Sequence, residues 1–219
     1  MARSTPSRPS WSVAARARLS CSRKRSSRWR WTTPSRLIRD HGFDVPQTLL
    51  TTSPAEVLRF AERVGPLIYK WVSGTRSIIA RLDLADAHLS QLRCPTRFQE
   101  RIGGRDYRVH VVGERAFACA IESSADDHRH ASGTNASLAM EHVTLEDVDV
   151  ARCVELTRQL GLQLSGIDFR RTPEGRWVSF EVNTDPAFAY FDDDRGSIAA
   201  AVAELLEGTA GPARASELR

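Results

Sequence analysis

The chain has 219 residues, 41% hydrophobic and 26% charged, the composition of a globular protein and not of a disordered or fibrous one. No apolar run approaches the roughly 18 residues that cross a bilayer, so a helical membrane span is excluded. The formal charge of +4 invites a nucleic-acid reading, but residues 1–39 carry 11 Lys and Arg and no acid, leaving the other 180 with 20 cations against all 27 acids. An acidic body repels a phosphate backbone, so no nucleic acid is expected to bind it.

Residues 1–34 are built from Arg, Ser, Pro and Trp without a sustained helical or strand period. They lack the apolar centre of a secretory signal and read as a disordered extension or a wrongly assigned start, with an organelle transit peptide as the other reading. Patterning begins near Leu37. Ser53-Pro54-Ala55-Glu56 has the form of a capping box with Pro at the first helical position, and predicts a helix to Gly65. Pro66–Lys70 reads as a buried strand, followed by a Ser73-Gly74-Thr75 turn, a strand over Ser77–Leu82 and a short helix over Ala85–Leu92. Strands are expected at Arg97–Ile102, Asp106–Val112 and Arg115–Glu122, then a loop over 123–140. Thr144 is placed as the cap of a helix running to Leu160 and closed by Gly161. Two strands flank Thr172-Pro173-Glu174-Gly175, and a last helix covers Ser197–Glu207. Hairpins mixed with helices indicate an α+β fold. Cys21, Cys94, Cys119 and Cys153 lie far apart with no C-x-x-C, as expected of reduced thiols in a cytoplasmic protein.

Two hairpins have faces that follow from their pattern. Pairing partners whose numbers sum to 349 sets Ile167 against Val182 and Phe169 against Phe180 on one apolar face. Asp168 then opposes Glu181, Gly166 opposes Asn183, and Arg170 opposes Ser179 on the other. A three-residue Pro-Glu-Gly turn favours a register one residue away, so turn and face disagree, and the face pattern is preferred. Two opposed carboxylates repel, which a divalent cation would relieve; Mg²⁺ or Mn²⁺ suits such oxygen donors, and Asn183 adds a neutral one. The other reading is an exposed polar face. In the hairpin turning at Gly113-Glu114, a sum of 227 collects Tyr107, Val109 and Val111 with Ala120, Ala118 and Ala116. Asp106, Arg108 and His110 share its second face, where Arg108 alone reads as half of a surface ion pair. Lys70, one of two lysines, ends its strand beside a turn and is either a phosphate contact or a solvated end.

The segments PLIYKWVSGTRS, FQERIGGRDYRVHVVGERAFACAI and GLQLSGIDFRRTPEGRWVSFEVN, in that order, resemble the ATP-grasp superfamily, in particular RimK-type ligases and ribosomal-peptide maturases. The resemblance implies two α+β subdomains enclosing ATP, over about 35–102 and 103–208, with flexible residues 209–219 after them. The further N-terminal domain with which the family usually begins is expected to be missing. It implies that Lys70 contacts phosphates, that the Ser73–Ser77 turn closes over them, and that Gln99, Glu100, Arg101 and Ile102 hold adenine, partly through backbone groups. Asp106 would take the ribose, Arg108 and Arg129 the substrate or phosphates, and Asp168, Glu181 and Asn183 the Mg²⁺. The implied chemistry joins a carboxylate, on a peptide or small acid, to an amine or hydroxyl through an acyl phosphate; the alternative is an ATP-binding module without turnover. Asp127-His128-Arg129 lacks the family's central aromatic, and its two neighbouring histidines, His128 and His130, read as an exposed loop and not a metal pair. Thr-Asp-Pro follows Asn183, and Asp192-Asp193-Asp194 reads as a solvated loop.

Overall fold

A computed structural model describes residues 35–71, 80–83, 92, 94–123 and 138–209. The Ser73–Ser77 turn, residues 85–91 of the expected short helix, Arg129 and the basic tail lie outside the described residues. No helix among the described residues is long and apolar enough to cross a membrane.

The first part of the chain contains α1 (Ser35–Asp40), β1 (Thr48–Thr51), α2 (Pro54–Val64), β2 (Leu67–Trp71), β3 (Ala80–Arg81) and β4 (Thr96–Glu100). The four strands form an antiparallel sheet ordered β1-β4-β2-β3. Val57, Phe60 and Ala61 recur at helical spacing on α2 and pack against Leu67 and Phe98 in a small core. The start of α2 departs from the expected capping box. Ser53 makes no side-chain cap; Thr51 accepts from the Ser53 amide at 2.9 Å and bonds the Glu56 carboxylate. Thr51 thus takes the Ser53 amide that a capping box gives to the Glu56 side chain, and links the two. Gly65, at φ +85°, ends the helix with its amide on the Ala61 carbonyl at 2.8 Å.

The second part contains β5 (Arg105–Val112), β6 (Arg115–Ser123), β7 (Leu138–Val143), α3 (Asp147–Gln159), β8 (Leu164–Arg171), β9 (Trp177–Asn183) and α4 (Ser197–Thr209). Its antiparallel sheet is ordered β7-β6-β5-β8-β9. The β5–β6 register is the expected one throughout, with Tyr107 opposite Ala120 and Val111 opposite Ala116. Its apolar face meets α3: Val109, Val111, Ile167, Phe169 and Val182 bury against Cys153 and Leu156. Burying a side chain such as Leu156 contributes about 2–3 kcal/mol. At one end of the second face, Ile198, Ala201 and Val202 of α4 cover Val112.

Three expectations are corrected here. β7 occupies the end of the expected loop; Ala139, Met140, Glu141 and His142 are all exposed, so this edge strand shows no alternation and is held by backbone pairing with β6. α3 starts at Asp147 and not at Thr144, with Asp147 and Asp149 in its first turn, where the positive helix end favours acids. Asp192 and Asp193 are not a solvated run. Asp192 accepts from the Ile198 and Ala199 amides at 2.8 and 3.0 Å, and Asp193 from the Ser197 amide and hydroxyl at 2.9 and 2.6 Å, so the pair caps α4.

The β8–β9 hairpin reconciles both competing registers. Near the turn Arg171 pairs Trp177, Arg170 pairs Val178 and Phe169 pairs Ser179, as the short turn favours. Beyond it, Asp168 pairs Glu181, Ile167 pairs Val182 and Gly166 pairs Asn183, as the face pattern favours. The shift falls between Asp168 and Phe169 and leaves Phe180 as a bulge. The expected pairs Phe169–Phe180 and Arg170–Ser179 therefore do not form.

Candidate functional site

On the sheet face turned away from α3, pairing builds three adjacent rows. The central row is Arg108, Asp168 and Glu181 on β5, β8 and β9. Towards α4 lie His110, Gly166 and Asn183; on the other side Asp106 stands opposite Arg170. The two carboxylates of the central row are direct neighbours, as expected.

Arg108 is not half of a surface pair. Its side chain is 7% exposed and its Nη1 donates to Asp168 Oδ1 at 2.6 Å, with the Asp168 side chain 13% exposed. The guanidinium lies 5.6 Å from the Phe191 ring centroid, and Nε meets His110 Nε2 at 3.5 Å. His110 is fully buried, its ring 5.4 Å from that of Phe191, and its Nδ1 has no hydrogen-bond partner among the described residues. Burial, helped by the Arg108 cation, lowers its pKa to about 4, so the imidazole is neutral at physiological pH.

Asp106 and Arg170 form a second ion pair. Arg170 Nε and Nη2 donate to the two Asp106 oxygens at 2.6 and 2.9 Å, and Nη1 donates to the Ile102 carbonyl at 2.7 Å. This ties the segment entering β5 to the larger sheet. In the Gln99–Ile102 stretch, Gln99 is buried and donates to Thr48 Oγ1 at 3.0 Å. The Glu100 amide is held by the Gln47 carbonyl at 3.1 Å and the Arg101 amide by the Pro66 carbonyl at 2.8 Å. Backbone contacts to a base through those two amides are thereby preempted. Lys70 lies on β2 opposite Arg97, and its side chain is outside the described residues.

The donor chemistry fits a hard divalent cation: two carboxylates and one amide from adjacent strands, all on one face. Asn183 Oδ1 already accepts from the Asp185 amide at 3.0 Å, leaving its second lone pair for a ligand. Among the described residues no three His, Cys, Asp or Glu side chains converge as a metal cluster, so an all-protein cage is not what this face offers. Two carboxylates and an amide suit an ion that keeps water or phosphate oxygens, the habit of Mg²⁺.

Sequence reasoning missed Arg170 and Gly166 as members of this site. The β5–β8 pairing that sets Arg170 against Asp106 joins residues 64 apart, and no turn or local pattern announces it. The bulge at Phe180 was signalled by the disagreement between turn and face; it brings the Phe180 ring within 5.3 Å of the Arg170 guanidinium.

No family model matches the chain. Among curated proteins it is similar to a probable alpha-L-glutamate ligase of Pasteurella multocida, 27% identical over 166 residues, covering 74% of this chain and 51% of that protein. It is likewise similar to a probable alpha-L-glutamate ligase of Pseudomonas paraeruginosa, 28% identical over 190 residues, covering 80% and 62%. The chain thus spans between half and two thirds of the length of these relatives. Among solved structures it resembles the ATP-grasp ligase PsnB complexed with a minimal precursor, at TM-score 0.67 and 28% identity, covering 83% of this chain and 63% of that one. The same ligase complexed with a phosphomimetic variant of that precursor, Mg and ADP gives TM-score 0.68 and 27% identity over 84% and 60%. The macrocyclase MdnC of Microcystis aeruginosa, bound with its precursor peptide, matches at TM-score 0.65 and 24% identity over 80% and 59%, a likeness of fold.

Proposed function

We propose that this chain, which carries the ATP-grasp fold and is similar to RimK-type ligases, is the nucleotide-binding and catalytic part of an ATP-dependent carboxylate–amine (or carboxylate–hydroxyl) ligase. The observation that carries the reading is the row of Asp168 opposite Glu181, with Asn183 on the same face, in a fold shared with ligases complexed with Mg and ADP. Those three residues would hold Mg²⁺ or Mn²⁺, which when bound neutralises phosphate oxygens. Lys70, Arg108 and Arg129 are assigned to the phosphates and the reacting carboxylate, Gln99 to Ile102 to the adenine, and Asp106 to the ribose. With the Glu100 and Arg101 amides already engaged, the base contact falls to other main-chain groups of this stretch, the Ile102 amide first.

The reaction follows from such a field. A substrate carboxylate oxygen bonds to the γ-phosphorus as ADP leaves; the amine or hydroxyl then attacks the acyl carbon, phosphate leaves, and the nucleophile loses a proton. Phosphoryl transfer asks the protein for in-line positioning and charge stabilisation more than for covalent help. A peptide is the favoured carboxylate substrate, because the similar ligase PsnB is complexed with a precursor peptide. ADP release stimulated by a carboxylate and amine panel tests the reading, with Glu181→Ala expected to abolish it in a chain that still folds. ADP binding without stimulated turnover would leave a nucleotide-binding module; unchanged phosphate release in Glu181→Ala would remove the metal assignment.

A further inference from the structure

Gly166 sits between His110 and Asn183 on the same face as the carboxylate row. A Cβ built there would lie 2.4 Å from Arg108 Nη2, 2.7 Å from its Cζ and 2.8 Å from Pro186 Cβ. Nothing about its backbone demands glycine: Gly166 is not among the residues of positive φ. What demands it is the space, which the Arg108 guanidinium fills. The guanidinium is boxed in by the bare strand at Gly166, by the Phe191 ring and by His110, and its Nη1 ends on Asp168.

We propose that Gly166 is a positioning residue: lacking a side chain, it admits the Arg108 guanidinium, which holds the Asp168 carboxylate and offsets its charge, so that this face binds a divalent cation together with the nucleotide and not alone. The inference rests on the ligase reading of Asp168, Glu181 and Asn183. With one Asp168 oxygen engaged by Arg108, the cation is offered the other oxygen, in an orientation the guanidinium fixes. Asp168, Glu181 and Arg108 together carry one negative charge, too little to draw a hydrated Mg²⁺ from water; the phosphates supply the rest. Removing the guanidinium doubles that charge.

The test measures Mn²⁺ affinity of the full chain without nucleotide, from the electron paramagnetic resonance of free Mn²⁺. Wild type is expected to bind weakly. Arg108→Met, which keeps the bulk and loses the charge, is expected to bind about tenfold more tightly. Gly166→Ala, which evicts the guanidinium, should do the same, whereas Arg108→Lys, which keeps the charge, should stay near wild type. A residue needed only for packing would lower metal affinity or leave it alone. Unchanged or weaker Mn²⁺ binding in Arg108→Met, in protein whose circular dichroism and melting show it folded, overturns the proposal. So does tight nucleotide-free binding by wild type. ADP binding by wild type in the presence of Mn²⁺ is measured alongside: its absence sinks the ligase reading, and its presence with no gain in the variants sinks this inference alone.

Discussion

Arg170 grips both oxygens of Asp106, at 2.6 and 2.9 Å, while its remaining nitrogen holds the Ile102 carbonyl at 2.7 Å. The two side chains are only 17% and 12% exposed, so the pair works in a medium where a lone charge is costly. One guanidinium therefore fixes the end of the proposed adenine stretch to the sheet that carries the proposed metal donors. Arg170→Met is expected to destabilise the chain by about 3 kcal/mol, because Asp106 loses its bidentate partner. Arg170→Lys should recover only part, since an ammonium cannot span both carboxylate oxygens and the carbonyl together. Urea unfolding of the three proteins checks this, with ADP calorimetry expected to show about tenfold weaker binding in Arg170→Met.

His110 gives the protein a defined acid sensitivity. Its folded pKa of about 4 lies below the ordinary value of 6.5, so between those two the unfolded chain binds a proton that the folded chain refuses. Stability is therefore complete above about pH 7 and falls as pH drops through this window, by up to about 3 kcal/mol at pH 4. His110→Gln should flatten that part of the curve. Denaturation midpoints at pH 7.5, 6 and 5 for both proteins check it; parallel slopes would show that His110 contributes nothing to the loss.

The β5–β6 hairpin was legible because its apolar residues alternate through both strands and Gly113, at φ +59°, marks the turn. Asp168 and Glu181 were legible as a facing pair for the same reason. The bulge shows in the sequence only as a conflict between the preference of a short turn and that of a buried face, which one extra residue resolves by satisfying both. The burial of Arg108 was hidden for a different reason. Strand alternation tells which face a side chain occupies but not what lies over that face, and here Phe191 and Pro186 return from beyond β9 to cover it. Asp192 and Asp193 look solvated in sequence because three acids stand in a row, while their role depends on the amides of a helix that starts only at Ser197.

That cap is open to measurement. Asp192 takes the Ile198 and Ala199 amides, two of the donors that a helix leaves unpaired at its start. α4 in turn buries Ile198 and Ala201 against Val112, at the end of the second face where Phe188 also packs. Asp192→Ala is expected to cost about 1–2 kcal/mol, and Asp192→Asn, which keeps an acceptor, less than half of that. Hydrogen exchange should speed first at the amides of Ile198 and Ala199. If the two variants were equally stable, the cap would not be what holds this helix start.

Asn183 has two tasks that different substitutions separate. Its Oδ1 anchors the Asp185 amide at 3.0 Å, which sets the course of the chain towards Pro186 and Phe191, and the same oxygen is the proposed neutral donor beside Asp168 and Glu181. Asn183→Asp keeps both acceptor functions but adds a third carboxylate to this face, so it should destabilise the metal-free chain by several tenths of a kcal/mol while tightening the binding of the divalent cation. Asn183→Leu loses both, with a stability cost of about 1 kcal/mol from the freed amide and a marked fall in ADP affinity measured with Mg²⁺ present. Calorimetry with and without Mg²⁺ distinguishes the tasks. A turn anchor alone would weaken ADP binding equally in both conditions, whereas a metal donor weakens it only when Mg²⁺ is there.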